Sequence, residues 1–332
     1  RIDLAAATLV RYLRTLELID NQFTAEGHLA LNAHARLNNS LALTTGGTLH
    51  LESLNIDHKK QGLVINNLHG RIELSSLLGP STRPRQLIRI DSFSYSDFRF
   101  VNNTALITAV SPTDILIERL TIDPESGGRF LIHAFRYQPG QPIRSELYIE
   151  DWNLIEFLQE ATGGKIRGSG RVFGRLPFEY DDGVIRLNTR LWLLGEPEGG
   201  ELAVMNDDIR SLIVEPLLKS DDDMTQLVAE RVDEALELME YDYLRARLVR
   251  QSDDGLTLRL EIRGQGLRGA KQEIGGLTVN LHNFAAVLNE LLLTPINNRP
   301  TIEQLLQRAR VGQAIEELDE QMGDDMRHNG QK

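Results

Sequence analysis

Histidines and clustered acidic residues are the side chains of this sequence that could bind a metal. His28 and His34 are six residues apart on a predicted strand, about 20 Å at the usual rise per residue, so they cannot share an ion without a third segment. The acidic clusters at residues 181–182, 207–208, 221–223 and 253–254 lack the alternating oxygen ligands of a calcium loop. Turns and a helix cap account for three of the four, and we predict no metal site.

A glycine motif at residues 264–269, GQGLRG, matches the dinucleotide-binding pattern GxGxxG. That pattern requires a following helix whose free amides face the pyrophosphate, whereas Gly275-Gly276 and another predicted strand follow here. We interpret the motif as a turn.

No serine lies in a GxSxG context, no carboxylate pair stands out as an acid–base couple, and the chain has no cysteine. We therefore predict no catalytic residue and no cofactor, and expect a protein that is not an enzyme.

Composition limits the partners of the chain. Its formal net charge is −12, and a phosphate backbone needs a basic surface, so no nucleic-acid partner is predicted. No apolar run reaches the roughly 18 to 20 residues of a membrane-spanning helix. The sequence begins inside a plausible strand and helix, so we expect that a membrane anchor or signal lies upstream.

Alternation of apolar and polar residues dominates the first two-thirds of the chain and predicts strands. Leu29 and Leu31 belong to the clearest run, residues 28–37, which has one apolar and one more polar face. Shorter runs divided by glycine and proline turns cover residues 48–56, 63–74, 88–95, 115–122 and 130–137. This pattern predicts a meander of many antiparallel strands.

Residues 149–178 combine a strand, a helix of one or two turns, and a strand softened by glycines. The start of the chain and residues 277–288 show a similar order. If these are repeats, the protein is elongated and grows by a module of sheet plus short helix.

The chain after residue 181 contains one strand, one helix and one hairpin with strong signals. A turn at Asp182-Gly183 precedes a predicted strand over residues 185–193, and an acidic amphipathic helix is predicted from about residue 220 to Tyr241. Residues 244–248 and 256–262 predict a hairpin. A weaker helix at 302–318 and a disordered charged tail at 319–332 follow. We divide the chain into residues 1–220, 221–295 and 296–332.

Several of these segments resemble the C-terminal region of AsmA-like envelope proteins, specifically the YdbH type. The closest segments are residues 152–158, 168–177 and 182–185, and residues 235–244, 254–264 and 279–288 are similar to the family's closing segment. Residues 67–72 and 127–128 are similar to family positions upstream. After the last hairpin strand the family often has Gly-Asn-Pro, whereas this chain has Gly264-Gln265-Gly266, so the likeness does not extend to that exit.

The resemblance implies a mainly β fold. It implies an elongated, mostly antiparallel sheet curved into a U-shaped groove (a β-taco), with short helices and one longer acidic helix. Such proteins are implied to cross the periplasm from an inner-membrane anchor to the outer membrane and to move phospholipids between the two. The C-terminal end is implied to meet a small outer-membrane lipoprotein by strand addition. An older family label is dicarboxylate transport, and no residue here indicates a solute site.

From the alternation and the resemblance together we predict two sets of site residues. The apolar positions expected to contact phospholipid acyl chains are Leu29, Leu31, Ile185, Leu187, Leu191, Leu193, Leu256, Leu258, Leu260 and Ile262. The strand edge expected to accept the lipoprotein contains Leu277, Val279 and Leu281, with no proline or lysine to protect it.

Alternation alone leaves other functions open. A one-sided strand buries its apolar face equally well on a second sheet or on acyl chains. One alternative is a β-scaffold with a dry core that serves outer-membrane assembly without transporting lipid. Another is a ligand-binding or enzymatic β-sandwich.

Overall fold

The computed structural model of the chain describes residues 2–15, 21–37, 43–59, 62–95, 98–161, 164–182, 184–188, 190–195, 198–218, 223–250, 256–267, 273–281 and 304. The described residues form two compact units. The first contains the chain up to Trp152 together with Pro177–Arg186, and the second contains Asn153–Leu176 and the chain from Leu187 to Leu281.

The first unit is an antiparallel meander. Its strands are β1 (Ile2–Ala5), β2 (Phe23–Leu37), β3 (Leu43–His58), β4 (Leu63–Ser76), β5 (Ser81–Thr82), β6 (Gln86–Tyr95), β7 (Phe98–Ser111), β8 (Asp114–Pro124), β9 (Arg129–Tyr137) and β10 (Ile143–Trp152), and helix α1 (Ala6–Thr15) joins β1 to β2. The strands pair in chain order, except that β4 pairs with both the short β5 and with β6. Each predicted strand of the first two-thirds lies in this meander.

The remaining elements are α2 (Leu154–Ala161), β11 (Ile166–Ser169), β12 (Val172–Asp181), β13 (Val184–Leu187), β14 (Trp192–Gly195), β15 (Gly200–Val204), α3 (Asp207–Leu218), α4 (Asp223–Glu237), β16 (Met239–Arg250), β17 (Leu256–Gly266) and β18 (Glu273–Leu281). All registered strand pairs in the described chain are antiparallel. The predicted class, mainly β with antiparallel strands and a few helices, is confirmed.

A line of β-bulges crosses the first unit. Gly27, Ser53, Asn67 and Asn102 adopt left-handed backbone conformations in β2, β3, β4 and β7. The strand register shifts beside each of them. Neighbouring bulges touch, since a Cβ on Gly27 would lie 2.5 Å from the carbonyl oxygen of Ser53. Because a bulge bends its strand and increases the local twist, the bulges bend the sheet at β2, β3, β4 and β7.

A buried tyrosine organises the sheet of the second unit. β16 pairs with β15 near Tyr241 and with β14 further along, so two short strands share one of its edges. The Tyr241 hydroxyl donates a hydrogen bond to the carbonyl oxygen of Ser169, at 3.2 Å, and the side chain is 1% exposed. A Cβ on Gly170 would overlap this hydroxyl. Burial raises the pKa of the phenol, so Tyr241 stays neutral.

The helices α3 and α4 cover one end of that sheet. Arg210 of α3 is 12% exposed and binds Asp233 of α4 at 3.2 Å, Asp207 at 2.7 Å and the carbonyl oxygen of Val204 at 2.9 Å. Glu237 lies 3.6 Å from the same guanidinium. One cation thus links both helices to β15.

Two sequence predictions need correction, and one helix was missed. The predicted strand over 185–193 is broken, because the Asn188 side chain and carbonyl cap a turn at Arg190 and Leu191. The acidic helix ends at Glu237 instead of Tyr241, which belongs to β16. Helix α3 was missed; it contains Pro216, a residue that is unfavourable inside a helix, in its last turn. The predicted helix 302–318 and tail 319–332 lie outside the described residues, apart from Gln304.

The strand and helix order predicted for residues 149–178 is present as β10, α2 and β11, and the start of the chain has the same order in β1, α1 and β2. In the third proposed copy only the strand, β18, lies within the described residues. Gly264 and Gly266 lie in β17, and the next described element is this strand, so the glycine motif does not precede a helix here.

Gly170→Ala should destabilise the second unit by about 2 to 3 kcal/mol, since it adds a Cβ at a φ of 130° against Tyr241. Tyr241→Phe, which removes one hydrogen bond, should cost about 1 kcal/mol. The measurement is urea unfolding followed by Trp192 fluorescence in a Trp152→Phe background, which leaves a single tryptophan. Ser169→Ala keeps the accepting carbonyl, removes only a weak 3.4 Å hydrogen bond from the Glu201 amide to the hydroxyl, and serves as the control; equal stability of Gly170→Ala and this control would contradict the proposed packing.

Candidate apolar binding face

One residue from each long strand of the meander lies directly opposite its neighbour, forming a continuous line across the first unit. We call this line the apolar row. Its members from β1 to β10 are Leu4, Leu29, Leu51, Gly70, Ile88, Ala105, Leu120, Ile132 and Leu147. Directly opposite residues of an antiparallel pair lie on the same face of the sheet. All members of the apolar row therefore lie on one face of the sheet. None of them has a polar side chain.

Most of this face is half-exposed. Leu29 is 8% exposed and packs with Ala6 of α1 and with Leu54, so the helix covers only the first strands. From residue 73 to residue 148, no described leucine, isoleucine, valine or phenylalanine is buried. A second protein layer would remove these side chains from water. The described part of the unit therefore presents an apolar face that the protein itself leaves partly open.

Two small residues interrupt the row. Gly70 and Ala105 lie on either side of Ile88, in β4 and β7. A Cβ on Gly70 would lie 3.1 Å from the carbonyl oxygen of Leu87, so the backbone is close there. Because glycine and alanine have small side chains or none, the surface of the row is lower at Gly70 and Ala105, on either side of Ile88, than at the leucines.

Two polar residues beside the row are buried. Gln86 accepts a hydrogen bond from the amide of Glu73 and donates one to the carbonyl oxygen of Pro84. Asn103, opposite Ile90, is 1% exposed and donates a weak hydrogen bond of 3.4 Å to the Ile90 carbonyl oxygen. Both amides serve the backbone around the bulges and turns and do not form a catalytic arrangement.

The opposite face of the same sheet is polar. His50 is opposite Arg71, and Arg119 is opposite His133, one position away from the apolar row on each strand. His133 also lies edge-on to Tyr148, whose hydroxyl donates to Glu146. Alternation therefore separates a face suited to water from a face suited to hydrocarbon.

In the second unit the corresponding apolar face is buried on β16 and half-exposed on parts of β14 and β17. Gly174, Leu193, Ala246, Leu260 and Val279 are opposite one another in β12, β14, β16, β17 and β18. Helix α4 closes one end of this face, where Ala235 packs on Gly266. The buried members of this face on β16 and β17 are Leu244, Ala246, Leu248 and Ile262.

The predicted acyl-chain contacts divide between these environments. The structure buries Leu29, Leu187, Leu191 and Ile262 and leaves Leu31, Ile185, Leu193, Leu258 and Leu260 half-exposed, and the side chain of Leu256 is not described. Leu29 belongs to the apolar row, and Leu31 is two residues along the same strand. The predicted edge residues Leu277, Val279 and Leu281 pair with Ile262, Leu260 and Leu258 of β17.

Most of the apolar row was absent from the predicted site. Leu51, Ile88, Leu120, Ile132 and Leu147 all lie in runs whose alternation predicts strands. Alternation gives each strand two faces but does not say which residue of the next strand lies opposite. The register supplied that information.

Several arginine–carboxylate ion pairs lie on the surface of the first unit. Arg136 donates two hydrogen bonds to Asp114 and lowers the pKa of that carboxyl, and the hydrogen bond from Arg144 chiefly lowers the pKa of Glu179. Arg186 also binds Glu179, at 3.1 Å. These pairs join neighbouring strands and the Pro177–Arg186 segment to the sheet.

No cluster of metal-binding side chains occurs among the described residues. None of the described helices has the length and apolarity needed to span a bilayer.

A family model described as YdbH-like, intermembrane phospholipid transport protein YdbH, matches residues 1–281. No curated protein and no solved structure matches the chain.

The Asp114 pair predicts a pH dependence of stability. Because the folded-state pKa of Asp114 is lowered, its contribution is present above its unfolded pKa, about 4, and is lost as the pH falls through the folded value. The drop in melting temperature between pH 6 and pH 3 should be smaller in Asp114→Asn than in the unmodified protein. Glu52→Gln, at an exposed carboxylate with no ion pair to a described residue, is the control. Identical drops in all three proteins would contradict this.

Proposed function

We propose that this chain, which belongs to the YdbH-like family of intermembrane phospholipid transport proteins, carries phospholipids by seating their acyl chains on the apolar row of the first unit. One observation carries the proposal: the row is continuous from β1 to β10 and half-exposed from β3 onward. The family is one of lipid transport proteins and not of enzymes.

The dimensions of the row suit hydrocarbon. Strands in a sheet lie about 4.8 Å apart, so the row from Leu4 to Leu147 extends over about 38 Å. Burial of a methylene contributes about 0.8 kcal/mol, which gives roughly 12 kcal/mol gross for a 16-carbon chain. This is enough to favour transfer of the chain from water to the row.

The chemistry of the row also favours movement. Leucine and isoleucine offer no hydrogen bond or charge that would hold an acyl chain in one place. A step from one strand to the next replaces one apolar contact with another, so the free energy changes little along the path. The low positions at Gly70 and Ala105 leave room for the chain to shift past Ile88.

The family describes intermembrane transport, which belongs in a cell envelope. We extend this to a periplasmic bridge that is anchored in the inner membrane through a segment upstream and reaches the outer membrane. We keep the predicted limits 1–220, 221–295 and 296–332 as its functional divisions. In this proposal the U-shaped groove lies in the first of them, and the second closes it.

A partner at the C-terminal end is a separate proposal. β18 takes its registered pairs from β17, and residues 277–281 contain neither proline nor lysine. An edge of this kind can add a strand from another chain. We propose a small outer-membrane lipoprotein as that chain.

A dry scaffold is the second candidate function, and the second unit favours it. Leu244, Ala246, Leu248 and Ile262 are all at most 4% exposed, so this part of the apolar face is filled by protein. The two candidates predict different responses to a charge placed on the apolar row.

Leu120→Asp places a carboxylate in the middle of the row. In an open groove the charge reaches water, so the protein should fold with a melting temperature within a few degrees of the original, while co-purified phospholipid falls at least about fivefold. Native mass spectrometry after gentle extraction measures the lipid. In a dry core the same change would bury an unpaired charge and unfold the unit.

Arg119→Asp is the matched control, because it introduces the same side chain one residue away on the polar face. It should retain the normal lipid load. An unfolded Leu120→Asp protein supports the scaffold, and a folded one with normal lipid load rules out this row as the path.

Strand addition at β18 should slow amide hydrogen exchange in residues 277–281 when the lipoprotein is added. Hydrogen–deuterium exchange with mass spectrometry measures this, and the amides of β9 in the same sample serve as the reference. Unchanged exchange at 277–281 in a mixture that forms a complex would place the partner elsewhere.

A further inference from the structure

The bulges of the first unit keep one face of the sheet apolar on both of their sides. In β3 the apolar residues of this face are odd-numbered before the bulge at Ser53, as Leu49 and Leu51 are, and even-numbered after it, as Leu54 is. Leu49, Leu51 and Ala25 all pack against the cluster that contains Leu54, so residues on both sides of the bulges share this face. Without the bulge, the later apolar residues of β3 would turn to the other face.

Beyond the bulges, this face presents aromatic side chains in two cross-strand rows. The inner one, which we call the Phe93 row, consists of residues that each lie directly opposite the next: Ala25, Ile56, Ile65, Phe93, Phe100 and Pro124. The outer one, which we call the aromatic row, is built in the same way from Phe23, His58, Leu63, Tyr95 and Phe98. The rings of Phe93 and Phe100 stack at 4.6 Å, and Phe23 lies edge-on to His58 at 5.7 Å.

The aromatic row lies at one end of the sheet, because each of its members is the first or the last residue of its strand. Only Leu63 among them lacks an aromatic ring. Phe23, Tyr95 and Phe98 are half-exposed, so part of each ring is accessible. The apolar row, in contrast, contains only glycine and aliphatic side chains. One apolar face therefore has an aliphatic part and an aromatic part, separated by the bulges.

Aromatic and aliphatic side chains suit different parts of a phospholipid. Ring faces attract ammonium groups, and tyrosine and histidine combine an apolar ring with a polar atom. Such rings are favoured at the level of lipid headgroups, as the aromatic belts of membrane proteins show. Aliphatic side chains offer an acyl chain only apolar contacts. The aromatic row is therefore suited to the headgroup end of a lipid and the apolar row to its acyl chains.

The separation of the rows matches the dimensions of a phospholipid. Along β6, Ile88 of the apolar row is about 16 Å from Phe93 and about 23 Å from Tyr95, at the usual rise of about 3.3 Å per residue. The hydrocarbon core of a bilayer is about 30 Å thick, so the acyl chains of one leaflet extend over about 15 Å. A lipid whose acyl chains reach the apolar row thus has its glycerol near the Phe93 row and its headgroup near the aromatic row.

We propose that the first unit binds a phospholipid in one orientation, with the headgroup at the aromatic row and the acyl chains extending past the Phe93 row to the apolar row. All three rows run across the strands, so the lipid keeps this orientation as it moves from one strand to the next. The inference rests on the proposed lipid carriage and adds positioning residues to it, namely Phe23, Phe93, Tyr95, Phe98 and Phe100.

The test places a tryptophan in each of two rows and measures its quenching by nitroxide-labelled lipid. Phe98→Trp reports on the aromatic row and Ile88→Trp on the apolar row, in a background of Trp152→Phe and Trp192→Phe that removes both tryptophans of the chain. The small residues on either side of Ile88 leave room for the larger ring. The purified chain is loaded with phosphatidylcholine that carries the nitroxide either on its headgroup or near the end of an acyl chain.

The headgroup label should quench Phe98→Trp at least about threefold more strongly than Ile88→Trp, because the two positions are roughly 20 Å apart. The acyl label should quench Ile88→Trp more strongly. Arg89→Trp, on the polar face beside Ile88, is the control and should be quenched by neither label. Equal quenching of the first two variants by each label, or the opposite preference, overturns the orientation. Absence of quenching in both overturns the lipid path itself and the orientation with it.

A pair of double variants tests the rings. Phe93→Leu with Tyr95→Leu keeps the face apolar, so this protein should retain its lipid load but lose most of the difference between the two labels at Phe98→Trp. The matched control is Phe135→Leu with Tyr137→Leu, which removes the same two ring types at the same spacing from the other end of the sheet, in β9. This control should keep both the load and the difference. Loss of the difference in both double variants, or in neither, contradicts a positioning role for the rings.

Discussion

Backbone pairing between antiparallel strands is the interaction on which the first unit depends. Most of its apolar side chains remain partly exposed, so they contribute less to stability than fully buried residues do. The hydrogen-bonded ladders and the arginine–carboxylate pairs between strands must hold the sheet instead, as Arg136 and Asp114 do across β8 and β9. Because these interactions stabilise the sheet, its apolar face can remain partly exposed. That is the physical condition for a surface that exchanges ligands without unfolding.

The second unit also has an apolar face, and a helical layer covers part of it. Leu236 and Met239, at the end of α4 and the start of β16, are at most 1% exposed, and Arg210 holds α3 and α4 in place through three carboxylates. The local alternation of β16 and β17 is as regular as that of β2 and β3. What differs is the presence of a helical layer, so one pattern of residues gives several fully buried side chains in one unit and a half-exposed face in the other.

The sequence predicted the elements more fully than the site. Alternation located β2, β17 and most strands between them, because a period of two is a local property of the chain. It missed the turn at Asn188, where a single side chain ends a strand whose alternation continues through Leu193. It also missed α3, although the cap formed by Asn206, with its side-chain oxygen 2.9 Å from the amide of Ile209, was a usable signal. The apolar row needed the cross-strand register, and bulges at Ser53, Asn67 and Asn102 change that register in ways that no single strand reveals.

The line of bulges also bears on how such a chain can change in length. Two of the bulges contact the strand beside them: Gly27 lies against Ser53 and Leu54, and the Asn67 amide donates a hydrogen bond to the Asn55 side chain. A hairpin inserted between two others needs only its own bulge at the same level to continue both the bend and the apolar face. Duplication of one hairpin would lengthen the sheet by two strand spacings, about 10 Å. Such a sheet can therefore change its length in steps of whole hairpins, with no redesign of the residues already present.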